Sequence, residues 1–69
     1  MSETGERIKA HRVASGWSQQ RLVEQAGLDV QTIGRIELGQ SIGHEYTLRK
    51  IAEALGIPAV ELMEAGEDE

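Results

Sequence analysis

Gln31 and Arg35 stand four residues apart, and Val30 and Gly34 repeat that spacing beside them. Residues four apart share one face of a helix. The four positions would therefore form a single stripe bearing a carboxamide, a guanidinium, a small apolar group and bare backbone, with Ile33 and Ile36 marking the inward side. Such a stripe suits the reading of hydrogen-bonding edges in the major groove of duplex DNA. A guanidinium can hold guanine O6 and N7 as a fork, a carboxamide can pair with adenine N6 and N7, and Val30 can touch a thymine methyl. Each good bidentate contact is worth about 1–3 kcal/mol of discrimination against a wrong base. Gly34 costs roughly 1 kcal/mol of helix propensity relative to Ala. It either admits close approach of DNA or of a neighbouring helix, or is a tolerated surface residue.

Bond-making chemistry has little to stand on. His11 and His44 are isolated, cysteine is absent, and no phosphate-binding loop or Ser/His/Asp set has supporting spacing. No catalytic residue, metal site, cofactor or small-molecule substrate is expected. Glu61, Glu64, Glu67, Asp68 and Glu69 lack the glycine-turned oxygen-ligand loop of a cation site and read as a solvated face.

The elements that must carry the stripe are marked out by glycine. Gly16, Gly27, Gly39, Gly56 and Gly66 each follow a helix-compatible run and suit the position just past a helix end. Five short helices are predicted. The first covers about 4–15, with Ile8 and Arg12 one turn apart on a thin apolar stripe. Ser18 caps a second reaching Ala26, and Asp29 caps a third reaching Leu38. Only Gly27 and Leu28 lie between those two, so they must meet at a sharp angle across a tight turn. A fourth is the most regular, with Leu48, Ile51, Ala52 and Leu55 at helical spacing; Pro58 suits the first turn of a fifth carrying Val60, Leu62 and Met63. No period-2 pattern is present, so the class is all-α.

Sixty-nine residues make one domain, expected over 1–66, with 67–69 an acidic tail or the start of a linker. A chain this short buries only roughly 60% of its unfolded surface, and without disulfides its core rests on helix packing. With a polar start and no apolar run near 18 residues, neither a signal peptide nor a membrane span is expected, and the lack of cysteine fits a cytoplasmic location. Net charge is −5, the wrong sign for approaching phosphates, but it is unevenly placed. Seven basic and seven acidic residues precede position 61, and the remaining five acidic residues lie from 61 onward.

From Ser18 to Leu62 the chain resembles the Cro/CI-type (XRE) helix-turn-helix domains of phage repressors and bacterial regulators. The resemblance is carried by Ser18-Gln19, Leu22, Gly27-Leu28, Thr32-Ile33, Arg35-Ile36-Glu37, Gly39, Leu48, Ile51-Ala52, Ala54-Leu55-Gly56-Ile57 and Glu61-Leu62, joined by Arg12 and Gly16. It implies a compact, lambda-repressor-like bundle and a transcriptional regulator, a repressor, whose third helix enters the major groove. Gln19, Thr32, Gln40, Ser41 and Gly43 fall at family positions that hold DNA phosphates. Arg12 and Glu37 match an ion pair tying the first helix to the end of the third. The family also implies a homodimer on a palindromic operator, with half-sites roughly 34 Å apart; Ile57, Val60 and Met63 are the expected dimer residues.

The sequence departs from the family at several points. His11 stands where Leu or Ala is common, and is expected as a partly exposed filler. Asp29 replaces the usual serine cap, placing a negative charge near the DNA backbone. Gly43 and Glu45 replace a frequent proline and leucine, with Tyr46 expected to supply apolar cover, and Trp17 is expected to pack as a staple before the second helix. The acidity leaves a second reading open, a protein-interaction module of the same fold such as an antitoxin, adaptor or anti-repressor; a third is a five-helix domain with no partner.

Overall fold

The structure, a computed structural model, describes residues 3–41 and 43–66, with side chains through Met63. The tail expected at 67–69 lies outside the described residues. Five helices follow one another: α1 Glu3–Ala14, α2 Gln19–Ala26, α3 Val30–Glu37, α4 Glu45–Leu55 and α5 Ala59–Gly66; no strand occurs among the described residues. Their starts are chemically defined. Ser18 Oγ accepts the Arg21 N–H at 3.1 Å and the Asp29 carboxylate accepts the Thr32 N–H at 2.9 Å, each satisfying an otherwise orphaned donor for about 1 kcal/mol. Gly27 ends α2 in the left-handed conformation, φ 71°, with its N–H on the Val23 carbonyl. That leaves Leu28 and Asp29 to complete the α2–α3 turn.

The boundaries depart slightly from expectation. α1 stops at Ala14 and α3 at Glu37, with Leu38 as a C-cap left 74% exposed. Gly66 is not a stop but the last helical residue, and Gly43 takes up the left-handed conformation instead, φ 78°.

Every helix contributes to one core. Ile8, Leu22, Ile33, Ile36, Ile51 and Leu62 are fully covered, with Ala26, Leu48 and Ala52 around them; each large aliphatic side chain buried this way contributes about 1.5–3 kcal/mol. α4 packs on α2 and α5, while α1 lies across α3 and α5. α1 supplies a single large apolar residue, and its inner face is completed by Thr4, Gly5 and Arg12, all buried. The Thr4 hydroxyl donates to the Leu62 carbonyl at 3.1 Å, Arg7 Nη1 donates to the Glu61 carbonyl at 3.2 Å, and His11 Nε2 lies 3.1 Å from Glu61 Oε1. His11 is thus half-exposed and engaged, tying α1 to α5.

Trp17 is half-buried against the core, with the Arg21 guanidinium 5.6 Å above its ring. The cover expected of Tyr46 does not form. Its ring is 66% exposed under the Lys50 ammonium, 4.9 Å away. The reason is Gly43, whose backbone already sits against the core at the entry to α4: a Cβ there would lie 3.0 Å from Ile36 Cδ1 and 3.3 Å from Leu48 Cδ2.

Candidate nucleic-acid interface

α3 presents two distinct sides. Ile33 and Ile36 face the core at 0% and 1% exposure, while Val30, Gln31 and Arg35 are exposed and Gly34 lies half-exposed between them. The side chains of Gln31 and Arg35 form no hydrogen bond among the described residues. Their donors and acceptors are therefore available to a ligand. A Cβ on Gly34 would meet nothing within 4 Å, which removes the neighbouring-helix explanation for this glycine. Gly34→Ala is accordingly expected to stabilise the domain by about 0.5–1 kcal/mol through helix propensity. Urea denaturation checks this, and a loss of stability would mean that the site is less open than described.

Beside this face lies a cleft of about 240 Å³ lined by Thr32, Arg35, Ile36, Ser41, Gly43, His44 and Thr47. It gathers three of the five predicted phosphate positions, Thr32, Ser41 and Gly43, next to Arg35. Gln40 is exposed outside the cleft. The Gly43 N–H donates to Ser41 Oγ at 3.2 Å, folding the loop back on itself. His44 is the N-cap of α4 but makes no side-chain cap bond, so the first amides of α4 and the positive end of its dipole remain open to an anion. The sequence reasoning missed His44 and Thr47; their signal was a helix start without a Ser, Thr, Asp or Asn cap.

Gln19 lies elsewhere, half-buried at the start of α2, where its Nε2 donates to Glu37 Oε1 at 3.0 Å. Glu37 also receives Arg12 in a fork, Nε to Oε2 at 2.7 Å and Nη2 to Oε1 at 3.1 Å, while Arg12 Nη1 donates to the Trp17 carbonyl at 2.8 Å. The two charged side chains are 11% and 3% exposed. One network thus joins α1, the α1–α2 connection, the first residue of α2 and the end of α3, fixing how α2 and α3 stand to one another.

A helix-turn-helix domain family model matches residues 5–67. The chain belongs to that family, in its Cro/CI (XRE) type. Among relatives of this helix-turn-helix domain is the SPbeta prophage-derived uncharacterized HTH-type transcriptional regulator YonR of Bacillus subtilis strain 168, 38% identical over 53 residues. The match takes in 77% of this chain and 49% of YonR, so the chain spans about half that relative's length. Two solved structures share the fold. The restriction-modification controller protein C.AhdI from Aeromonas hydrophila superposes with a TM-score of 0.81 at 37% identity, covering 86% of this chain and 89% of that one. The N-terminal DNA binding domain of SinR from Bacillus subtilis gives 0.83 at 27% identity, with 96% of each chain covered.

The expected dimer residues of this helix-turn-helix domain do not form a uniform patch. Val60 is 51% exposed, whereas Ile57 and Met63 are half-buried and pack against the core. Among the described residues no helix is long and apolar enough to cross a membrane.

Proposed function

We propose that the chain is a transcriptional regulator, a repressor, that binds double-stranded DNA by laying α3 in the major groove. The observation that carries this reading is the joint exposure of Gln31 and Arg35, neither hydrogen-bonded through its side chain among the described residues, opposite a fully buried Ile33 and Ile36. In this reading Val30, Gln31, Gly34 and Arg35 face base edges, while Gln19, Gln40, Ser41 and Gly43 hold phosphates, with His44 and Thr47 completing the cleft; Thr32, whose hydroxyl and N–H are both engaged by Asp29, would turn its hydroxyl from that carboxylate to join them. Phosphate contacts fix register and base contacts specify sequence. Support comes from the names of the relatives, a transcriptional regulator, a controller protein and a DNA binding domain. A cytoplasmic place of action, a homodimer using Ile57, Val60 and Met63, and a palindromic operator belong to the same proposal.

Selection from random duplexes tests it. A palindrome should emerge, and Arg35→Ala and Gln31→Ala should each lower affinity about 5- to 150-fold and relax preference at one base position, with thermal unfolding little changed. Equal binding by the variants would end the base-reading claim. Light scattering that finds a monomer on operator DNA would end the dimer claim.

The protein-interaction reading has its own support, since several cations are already engaged: Arg12 with Glu37, Arg49 with Glu45, Arg21 over Trp17 and Lys50 over Tyr46. Salt separates the two. Affinity of a DNA-binding regulator falls with a log–log slope of about −0.9 per phosphate neutralised, whereas a protein-binding module ignores duplex DNA even at low salt.

Asp29 offers a further test. Hydrogen bonding from the Thr32 side chain, and then from its backbone N–H, lowers the Asp29 carboxyl below its ordinary 3.8. A lowered folded-state value means that the stabilisation is complete above the unfolded value and disappears as pH falls through the folded one. Wild type should therefore lose more stability below about pH 4 than Asp29→Asn does. Asn caps as well as Asp, so the variant should fold and, with one negative charge removed beside the groove face, bind DNA more tightly at neutral pH. Unchanged or weaker binding would place Asp29 away from the phosphates.

A further inference from the structure

We infer that Glu37, which is covered by the protein, acts on DNA affinity through Gln19: it fixes the Gln19 carboxamide so that one N–H is held and the other is directed outward to a backbone phosphate. The inference rests on the DNA-binding reading above and makes Glu37 a positioning residue. A carboxylate accepts hydrogen bonds and cannot donate them. Facing Glu37 Oε1, Gln19 can therefore present only its nitrogen inward, as the 3.0 Å Nε2–Oε1 contact has it. An amide nitrogen carries two hydrogens pointing apart. With one on Glu37, the second projects away from the carboxylate, and the half-exposed setting of Gln19 at the first residue of α2 leaves it open to an anion.

Arg12 makes this arrangement tolerable near a phosphate. Its fork on Glu37 cancels the carboxylate charge, and both oxygens are occupied, Oε2 by Nε and Oε1 by Nη2. Arg12 itself is held by the Trp17 carbonyl one residue before the α2 cap. The Gln19 amide is thus held by a carboxylate on α3 that is itself fixed from α1 through Arg12, so one of its N–H groups is oriented before any ligand arrives. Preorganisation of this kind lowers the cost of ordering a side chain on binding.

The sign of one substitution decides the matter. Glu37→Gln removes a negative charge from an acidic protein, so electrostatics alone predicts tighter binding to DNA. Positioning predicts the reverse, because a carboxamide at 37 can offer either its oxygen or its nitrogen and no longer dictates which end of Gln19 faces out. We expect Glu37→Gln to bind the selected duplex roughly tenfold more weakly, equally for operator and unrelated sequence. In the Gln19→Met background the same change should cause no weakening.

A scan of duplexes carrying one neutral methylphosphonate at a time gives a readout that a merely structural role would not move. Wild type should lose affinity at one backbone position in each half-site, and Gln19→Met and Glu37→Gln should both be insensitive there. Should Glu37→Gln fail to fold, nuclear magnetic resonance of the wild-type Gln19 side-chain amide takes its place: one proton should stay bonded to Glu37 on adding duplex while the other shifts. Tighter binding by Glu37→Gln, equal weakening in both backgrounds, or breakage of the Gln19–Glu37 bond on DNA would overturn the inference while leaving DNA binding intact. If wild type binds no duplex at all, both readings fall.

Discussion

Arg12→Ala is expected to cost about 3–5 kcal/mol, a large share of what holds a domain of this size together. A domain of 69 residues has a total stability of about 3–10 kcal/mol. Removing the guanidinium deletes three hydrogen bonds, two to Glu37 and one to the Trp17 carbonyl. More costly is what stays behind, a carboxylate 3% exposed with, among the described residues, only the Gln19 amide to face it. An intact pair of this sort adds little beyond an apolar substitute, whereas a widowed partner is heavily penalised. Glu37→Ala should therefore be nearly as damaging, and the double variant less so than the sum of the two. Urea denaturation of the three proteins forms a double-mutant cycle. Simple additivity, or single effects below about 1 kcal/mol, the range of an exposed pair, would show that the contact contributes no more than a surface one.

Gly5→Ala should destabilise by about 1–3 kcal/mol, although helix propensity taken alone favours alanine by about 1 kcal/mol. A Cβ at this position would overlap the carbonyl oxygen of Ile36, and would lie 3.0 Å from the carbonyl carbon and 3.1 Å from Glu37 Cα. All three are backbone atoms, so no side chain can swing aside. α1 would have to move off the end of α3, carrying Arg12 away from Glu37. Gly34→Ala is the internal control, the same substitution with the opposite sign because nothing stands near it. If Gly5→Ala unfolds at the same urea concentration as wild type or a higher one, the close approach of the two helices is wrong.

These two effects mark where the sequence could be read and where it could not. α2, α3 and α4 were legible because each has an apolar stripe at helical spacing and α2 and α3 have capping residues; Leu22, Ile33, Ile36, Leu48 and Ile51 all lie in the core. The exposure of Gln31 and Arg35 followed from the burial of two isoleucines. α1 was harder, since its buried face is made of a threonine, a glycine, an isoleucine and an arginine, which no hydrophobic pattern reveals. Gly5 in particular reads as part of a polar N-terminus until α3 is laid against it. His44 and Thr47 were missed because a cleft between a loop and a helix start belongs to neither segment alone. Tyr46 was misjudged because the close fit of a glycine backbone leaves no trace in composition.

The bond from Thr4 to the carbonyl of Leu62 spans 58 positions of the chain, and Leu62, at 0% exposure, closes the core against Ile8 and its neighbours. The bond joins α1 to α5, so α1 has both of its packing partners, α3 and α5, only once the chain as far as Leu62 is in place. Native-state hydrogen exchange should accordingly find a single opening unit rather than a sturdy half and a loose one. The exposed face of α3 would then be assembled or lost together with the α1–α5 seam.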